Sequence, residues 1–408
     1  MSVISQEASP RRRMPFYGWV IVAAGFSAQM ISSLSMQGLA TYTTPLRAEF
    51  GWSLGETALG RSLQTSDTLL GPISGILVDR FGARIMMAAG TLLYFIAFTV
   101  LSLTSGLVEF YVACLLMGVA NSLLGLLVVA QLINAWFVTR RATAMGCAVA
   151  GFAVSGFILL PFMVWTQAQF GWRATAMGTG IMIVLVGLPL MLMVRSMPEE
   201  MGLRPLGADP STGEKGGHVG GLSLSEAMRG RNFWILTLAM SFSGVHQFAL
   251  MVHFFPYVEG IDSRVMAGLI IALVNVFNLA GRLLGGIVGD MMPKGRFLAL
   301  GAAGAGLGMM LLSASSGLAA AAVFAIVFGF SWGSRTAVSS ALTGELFGRK
   351  AFGKIAGVSQ VLVTITAIAS PLVYGALVDM GVSYGVIFAG MAVCTLVAAW
   401  LFALLPRH

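Results

Sequence analysis

The sequence predicts an all-α membrane protein, with twelve transmembrane helices in two six-helix pseudo-symmetric halves. Three observations predict it. Of 408 residues, 57% are hydrophobic and only 10% are charged, a balance outside the range of soluble folds of this length. Hydropathy and breaker residues mark twelve apolar runs, each long enough to cross a bilayer, beginning near residues 17, 54, 85, 110, 142, 172, 233, 265, 297, 318, 355 and 383. Finally, the two parts of the chain repeat each other.

The repeat is read from landmark residues. Gly75 and Asp79 in GILVDRFGAR match Gly286 and Asp290 in GIVGDMMPKGR, each 211 residues further on. Pro45 and Pro256, which close the first span of each half, keep that offset, as do Gly146 and Gly357 at the openings of the fifth spans. Pro161 with Pro371, and Phe137 with Phe347, agree to one residue. Such a repeat implies two halves with a site at their interface near the midplane.

Taken in order, residues 1–15 form a basic N-terminal tail with Arg11, Arg12 and Arg13, and the apolar run after it is read as a retained first helix. Residues 16–197 make the N-terminal half. Residues 198–231, rich in Gly, Pro and charge, form a linker with a short amphipathic piece at LSLSEAMRG. Residues 232–408 make the C-terminal half. The formal net charge of +8 comes from cations in short loops on one side of the spans, whereas the other side carries only Arg47, Arg61, Arg173 and Arg264. The positive-inside rule therefore puts both termini in the cytoplasm of an integral inner-membrane protein, and topology rather than nucleic acid accounts for the charge. Cys114, Cys147 and Cys394 lack any paired spacing, so neither disulfides nor a zinc site is expected.

Arg282 is the residue on which function turns. An apolar run precedes it and a Gly-rich apolar run follows, which places a guanidinium near mid-bilayer at a cost of roughly 2.5–3.5 kcal/mol. Such a residue faces a polar cavity or a partner. A permanently charged planar fork matches a carboxylate, so the ligand implied is a small organic anion.

The run from Gly75 through Asp79, Arg80 and Gly82 to Arg84 resembles the loop signature of the major facilitator superfamily between its second and third helices. That resemblance implies a cytoplasmic gate held by charge pairs, with Asp290 as the second-half counterpart of Asp79. Within the superfamily, the chain resembles the monocarboxylate and oxalate/formate porter group from Phe16 to Leu404. The residues that carry this are FYGWVIVAAGF, WFVTRRATAMG, GWR at Gly171–Arg173, PEEMGLRP, VHFFPYV and the Arg282 segment. The resemblance implies that Arg282 binds the carboxylate, with Gly286 four residues later. Two positions depart from animal relatives: Asn278 stands where they have an aspartate, and Gln37 where they have a lysine. Asn278 lies one turn before Arg282 and can orient a ligand or satisfy a backbone group.

Other polar groups at membrane depth are few. Asp67 is a candidate proton carrier, a counter-ion for Arg282 or Arg335, or a structural pair. His253 is favoured for the cavity, whereas His246 reads equally as packing. Arg335 is either a second anion subsite or a structural partner. Asn121, Tyr42 and Gln37 are candidate lining groups, each with a packing alternative.

No nucleotide loop or nucleophile constellation is present, and GDMMPKG lacks the spacing of a phosphate cradle. The expectation is therefore a carrier and not an enzyme, monomeric, without cofactor or metal, moving a monocarboxylate by proton coupling or exchange. The alternatives are a carrier of a larger solute such as a vitamin, aromatic acid or drug, and a non-transporting sensor.

Overall fold

A backbone in hydrocarbon has no water to satisfy its N–H and C=O groups, so each apolar run closes its hydrogen bonds within itself as a helix. The computed structural model describes residues 17–65, 70–207, 221–262, 264–314 and 317–406. Among these residues the only β-pairing is two isolated bridges, Phe137 with Leu206 and Gly221 with Gly348.

In the N-terminal half, α1 (Gly18–Phe50) is followed by α2 (Leu54–Gln64) and α3 (Gly71–Phe81), which share the second span. The third span is α4 (Ala83–Ser102), and the fourth is α5 (Leu107–Leu124) and α6 (Leu126–Trp136), joined at Gly125. The fifth begins as α7 (Arg141–Val154), widens into a π turn at Ser155–Leu159 and continues as α8 (Leu160–Met182). Gly171 turns a corner inside α8 at φ +80°, a conformation that suits glycine, and the sixth span runs from there to α9 (Leu188–Met193).

After the linker, with its short α10 (Leu224–Arg229), come α11 (Arg231–Ile261), α12 (Arg264–Met291), α13 (Lys294–Ala314), α14 (Leu318–Phe347), α15 (Phe352–Asp379) and α16 (Tyr384–Ala403). Ser223 caps α10, and its hydroxyl and backbone N–H hold the Glu226 carboxyl below the usual carboxylate range.

Eight helical stretches are long and apolar enough to cross a membrane, and one of them, the 53-residue Arg141–Met193, contains two spans around Gly171. With the α2–α3 pair, α11 and α15, they complete the twelve. Pro45 and Pro256 do not end their spans as expected. Both sit inside α1 and α11, which continue to Phe50 and Ile261. The displacement is the same in both halves, so the repeat survives it.

Each half has its own apolar core. That of the N-terminal half is built around Tyr42, Tyr94, Phe98 and Trp136. The C-terminal half has one cluster around Phe254, Phe324 and Phe388 and another around Phe233, Phe347 and Phe402. Across the halves, α3 packs on α15, α6 on α14 and α15, and α7 on α12 and α14. These three N-terminal helices are the linker-side portions of the second, fourth and fifth spans. Their continuations α2, α5 and α8 have no comparable packing against the other half among the described residues. The halves therefore close at the linker end and part toward the other.

At the parting end, the GWR sequence braces the N-terminal half. Trp172 Nε1 donates to Glu49 at 2.8 Å, Arg173 pairs with the same carboxylate, and Arg173 also donates to the Thr104 carbonyl at 3.0 Å. These residues hold the ends of α1 and α4 together and do not face the other half.

Candidate functional site

Glycines let α12 settle into the seam where the halves meet. A Cβ on Gly281 would strike the Phe330 backbone of α14, and one on Gly286 would come within 2.5 Å of the Ala142 carbonyl of α7. Between them, Arg282 points from α12 across to the other half. Its Nε donates to Asn278 Oδ1 at 2.9 Å and its Nη1 to the Val149 carbonyl of α7 at 2.7 Å. The Phe152 ring covers the guanidinium, with its centroid 5.4 Å from Cζ.

These three partners are all neutral. Hydrogen bonds to a charged group contribute about 1.5–3 kcal/mol each, and a desolvated cation–π contact about 2, enough to offset insertion of the arginine. They leave its charge uncompensated. Among the described residues no carboxylate pairs with Arg282, and Nη2 has no hydrogen-bond partner. Asn278 is only 6% exposed, and its Nδ2 is a buried donor that also has no partner among the described residues. One full positive charge and two unused donors therefore lie on a single helical turn, and such donors are of the kind that bond anionic oxygens.

Of the other candidates, only Gln37 reaches this site through contacts among the described residues. Its Nε2 donates to Ser33 Oγ at 2.6 Å, and Ser33 donates to the Phe152 carbonyl at 2.7 Å. Tyr42 is fully buried in the core of the N-terminal half. Asn121 Oδ1 accepts from Tyr94 at 3.0 Å, joining α5 to α4 inside that half. Arg335 donates to Ser243 of α11 at 2.8 Å in a crevice that α13 also lines, within the C-terminal half. Asp67 lies outside the described residues, as do the side chains of His246 and His253 on α11.

Sequence reasoning missed Val149, Phe152 and Ser33. The first acts through its backbone, and the second is one phenylalanine in an apolar run. Only the Arg282-bearing register against α7 could have found them.

At the linker end the repeat becomes a pair of matched contacts. A Cβ on Gly75 would strike the Gly353 carbonyl, just as one on Gly286 would strike that of Ala142, and Gly353 and Ala142 are themselves 211 residues apart. Asp290 accepts from Ala142 N at 3.0 Å and from Thr143 N and Oγ1 at 2.8 and 2.7 Å, so it caps the N-terminus of α7. Asp79 sits equivalently at the N-terminus of α15, accepting from Gln131 Nε2 at 2.7 Å with the Lys354 backbone beside it.

Charge pairs between Asp79 and Arg80 or Arg84, implied by the resemblance, are not formed. Both arginines are exposed, and neither has an ion pair among the described residues. Asp79 faces inward toward α15, while Arg80, one residue on, has turned away around the helix; Gly82 ends that helix at φ +82°. The ion pairs lie elsewhere: Lys294 with Glu345 at 2.5 Å and Asp290 at 3.8 Å, and Arg349 with Glu199 of the linker at 3.1 Å. Asn134, 1% exposed, donates across the halves to Ser340 Oγ at 3.1 Å. A cavity of about 210 Å³ lies beside Asp79, Gln131 and Asn134.

A two-half helical bundle, with a guanidinium at its seam that no described carboxylate pairs, defines a membrane carrier. Residues 25–334 match the Major Facilitator Superfamily, and the chain belongs to that family. It is 27% identical to an MFS-type transporter of Gibberella moniliformis over 83% of this chain and 79% of that protein. It is 22% identical to Monocarboxylate transporter 2 of Mus musculus over 94% of this chain and 82% of that one. Among solved structures, the proton:xylose symporter XylE bound to 6-bromo-6-deoxy-D-glucose superposes with a TM-score of 0.76 at 15% identity, covering 96% of each chain. At that identity the likeness shows the fold.

Proposed function

We propose that this transporter moves a small organic anion, a monocarboxylate, by alternating access, with Arg282 as the group that binds the carboxylate. The observation that carries the reading is the unspent charge of Arg282 beside the unpartnered Nδ2 of Asn278. The similarity to Monocarboxylate transporter 2 supports the same substrate class. With both termini in the cytoplasm of the inner membrane, as loop charge requires, the closed linker end is the cytoplasmic gate and the site opens outward. The protein works as a monomer, since one chain supplies both halves of the site. Driving force comes from a proton, through Asp67 or His253, or from a second anion in exchange.

The test is counterflow in proteoliposomes with labelled pyruvate, lactate, oxalate and benzoate, with and without an imposed pH gradient. Saturable counterflow of pyruvate or lactate supports the reading. Counterflow of benzoate alone moves it to a carrier of larger acids, and exchange with none of the four overturns it.

A further inference from the structure

We infer that Phe152 determines which acids fit beside Arg282, and that Ser33 and Gln37 position it. The inference rests on Arg282 as the carboxylate site and goes on to assign the wall that selects its occupant. A guanidinium binds in its plane through its N–H edges and is approached on its faces by apolar groups. At Arg282, Nε is taken by Asn278 and one Nη1 proton by Val149, so a carboxylate enters on the Nη2 edge. The Phe152 ring lies against the guanidinium, with Cζ over the ring and 5.4 Å from its centroid. Any substituent on the carbon next to the carboxylate meets that ring or turns away from it. Flat, short acids pass beside it, and branched or aromatic acids collide.

The backbone that carries the ring is held by α1. The Phe152 carbonyl accepts from Ser33 Oγ at 2.7 Å, and Gln37 Nε2 donates to that hydroxyl at 2.6 Å. Ser33 is fully buried, so water does not compete for the bond. Gln37 is fixed in turn against the π turn, where a Cβ on Gly156 would come within 3.1 Å of its Oε1. Gly151, packed against the Phe26 backbone, keeps α7 from sliding along α1. Gln37 thus acts on the substrate through Ser33 and Phe152 and is a positioning residue, not a ligand.

The experiment is inhibition of labelled pyruvate counterflow by unlabelled pyruvate, 3-methyl-2-oxobutanoate and phenylpyruvate. For wild type, pyruvate should inhibit at least about tenfold more strongly than either bulky acid, the scale of discrimination a packed apolar wall provides. Phe152→Ala should bring the three constants within about threefold of one another. Phe152→Leu should fall between, and it serves as the reading should the alanine variant fail to fold. Ser33→Ala should move selectivity the same way through KM and not through maximal rate, with Ser33→Thr restoring it. Unchanged selectivity in a folded Phe152 variant, while Arg282→Lys loses pyruvate counterflow, overturns the inference and spares the site. Pyruvate counterflow surviving in Arg282→Lys overturns the site itself.

Discussion

The Nη1 of Arg282 donates to the Val149 carbonyl at 2.7 Å, so one side chain ties α12 of the C-terminal half to α7 of the N-terminal half. Bonds nearer the linker end, from Asn134 to Ser340 and from Thr143 to Asp290, also span the halves, but without a substrate-reactive group. Under the proposed function, a carboxylate arriving at Arg282 meets a guanidinium already engaged by both halves. Binding and the relation between the halves are therefore linked through one residue.

Arg282→Lys keeps a positive charge but cannot reach Asn278 and Val149 while leaving an N–H edge open. Transport should fall by about a hundredfold, as for loss of a charge-positioning donor in a water-poor site. The protein should stay folded, since α12 remains packed through its glycines, with a melting temperature lowered by the loss of the bonds to Asn278 and Val149. Proteoliposome uptake and a melting curve check both statements, and near wild-type uptake would dismiss the role.

Gly286→Ala and Gly75→Ala test the closed end. In each case the added methyl meets a backbone carbonyl, which has no rotamer by which to retreat. The halves must separate there, shifting the population toward the state open at the linker end. A cysteine placed at Ser340, on the seam, should react with a membrane-impermeant maleimide several times faster in either alanine variant. Equal rates would mean that the contact is not what keeps this end shut.

Much of this architecture was legible because membrane burial writes itself into composition, and duplication into spacing. The offset that paired Asp79 with Asp290 also pairs Gly353 with Ala142, the residues they approach, so the two contacts were implicit in the sequence. What it did not carry was direction around a helix. Asn121, Tyr42 and Arg335 lie at suitable depth, yet their side chains engage neighbours within their own half. Val149 was illegible for a different reason, since every residue has the carbonyl through which it acts. Arg80 and Arg84 drew attention as charges beside Asp79, while its side-chain hydrogen bond comes from the uncharged Gln131 and the cation that acts on it is Lys354 of the other half.

The two capping aspartates should differ in their tolerance of amidation. Asp290 accepts only from donors, two of them backbone N–H groups of α7. In Asp290→Asn the new NH2 must face one of these, losing at least one bond to a charged group, about 1.5–3 kcal/mol. Asp79 accepts from Gln131, whose amide can turn over and present its oxygen to the new NH2 of Asp79→Asn. Labelling at the Ser340 position should therefore rise more in Asp290→Asn than in Asp79→Asn. The reverse order would show that Asp79 is the stronger latch.

Asn278→Asp addresses coupling. Asn278 Oδ1 already accepts from Arg282 Nε at 2.9 Å, so a carboxylate there forms an ion pair without rearrangement. That pair neutralises the site, and a substrate anion then competes with a covalently tethered one. While the site is empty Arg282 pairs with the new carboxylate, and an arriving anion draws the guanidinium away and leaves that carboxylate without its counter-charge. Anion binding should then take up a proton. Wild type, whose amide does not titrate, should show anion affinity at this site varying little across the same range. In the variant, counterflow should be about tenfold weaker near pH 7.5 and recover toward pH 5.5, and an imposed pH gradient should drive accumulation. A pH profile parallel to wild type would show that the carboxylate and the substrate do not share Arg282.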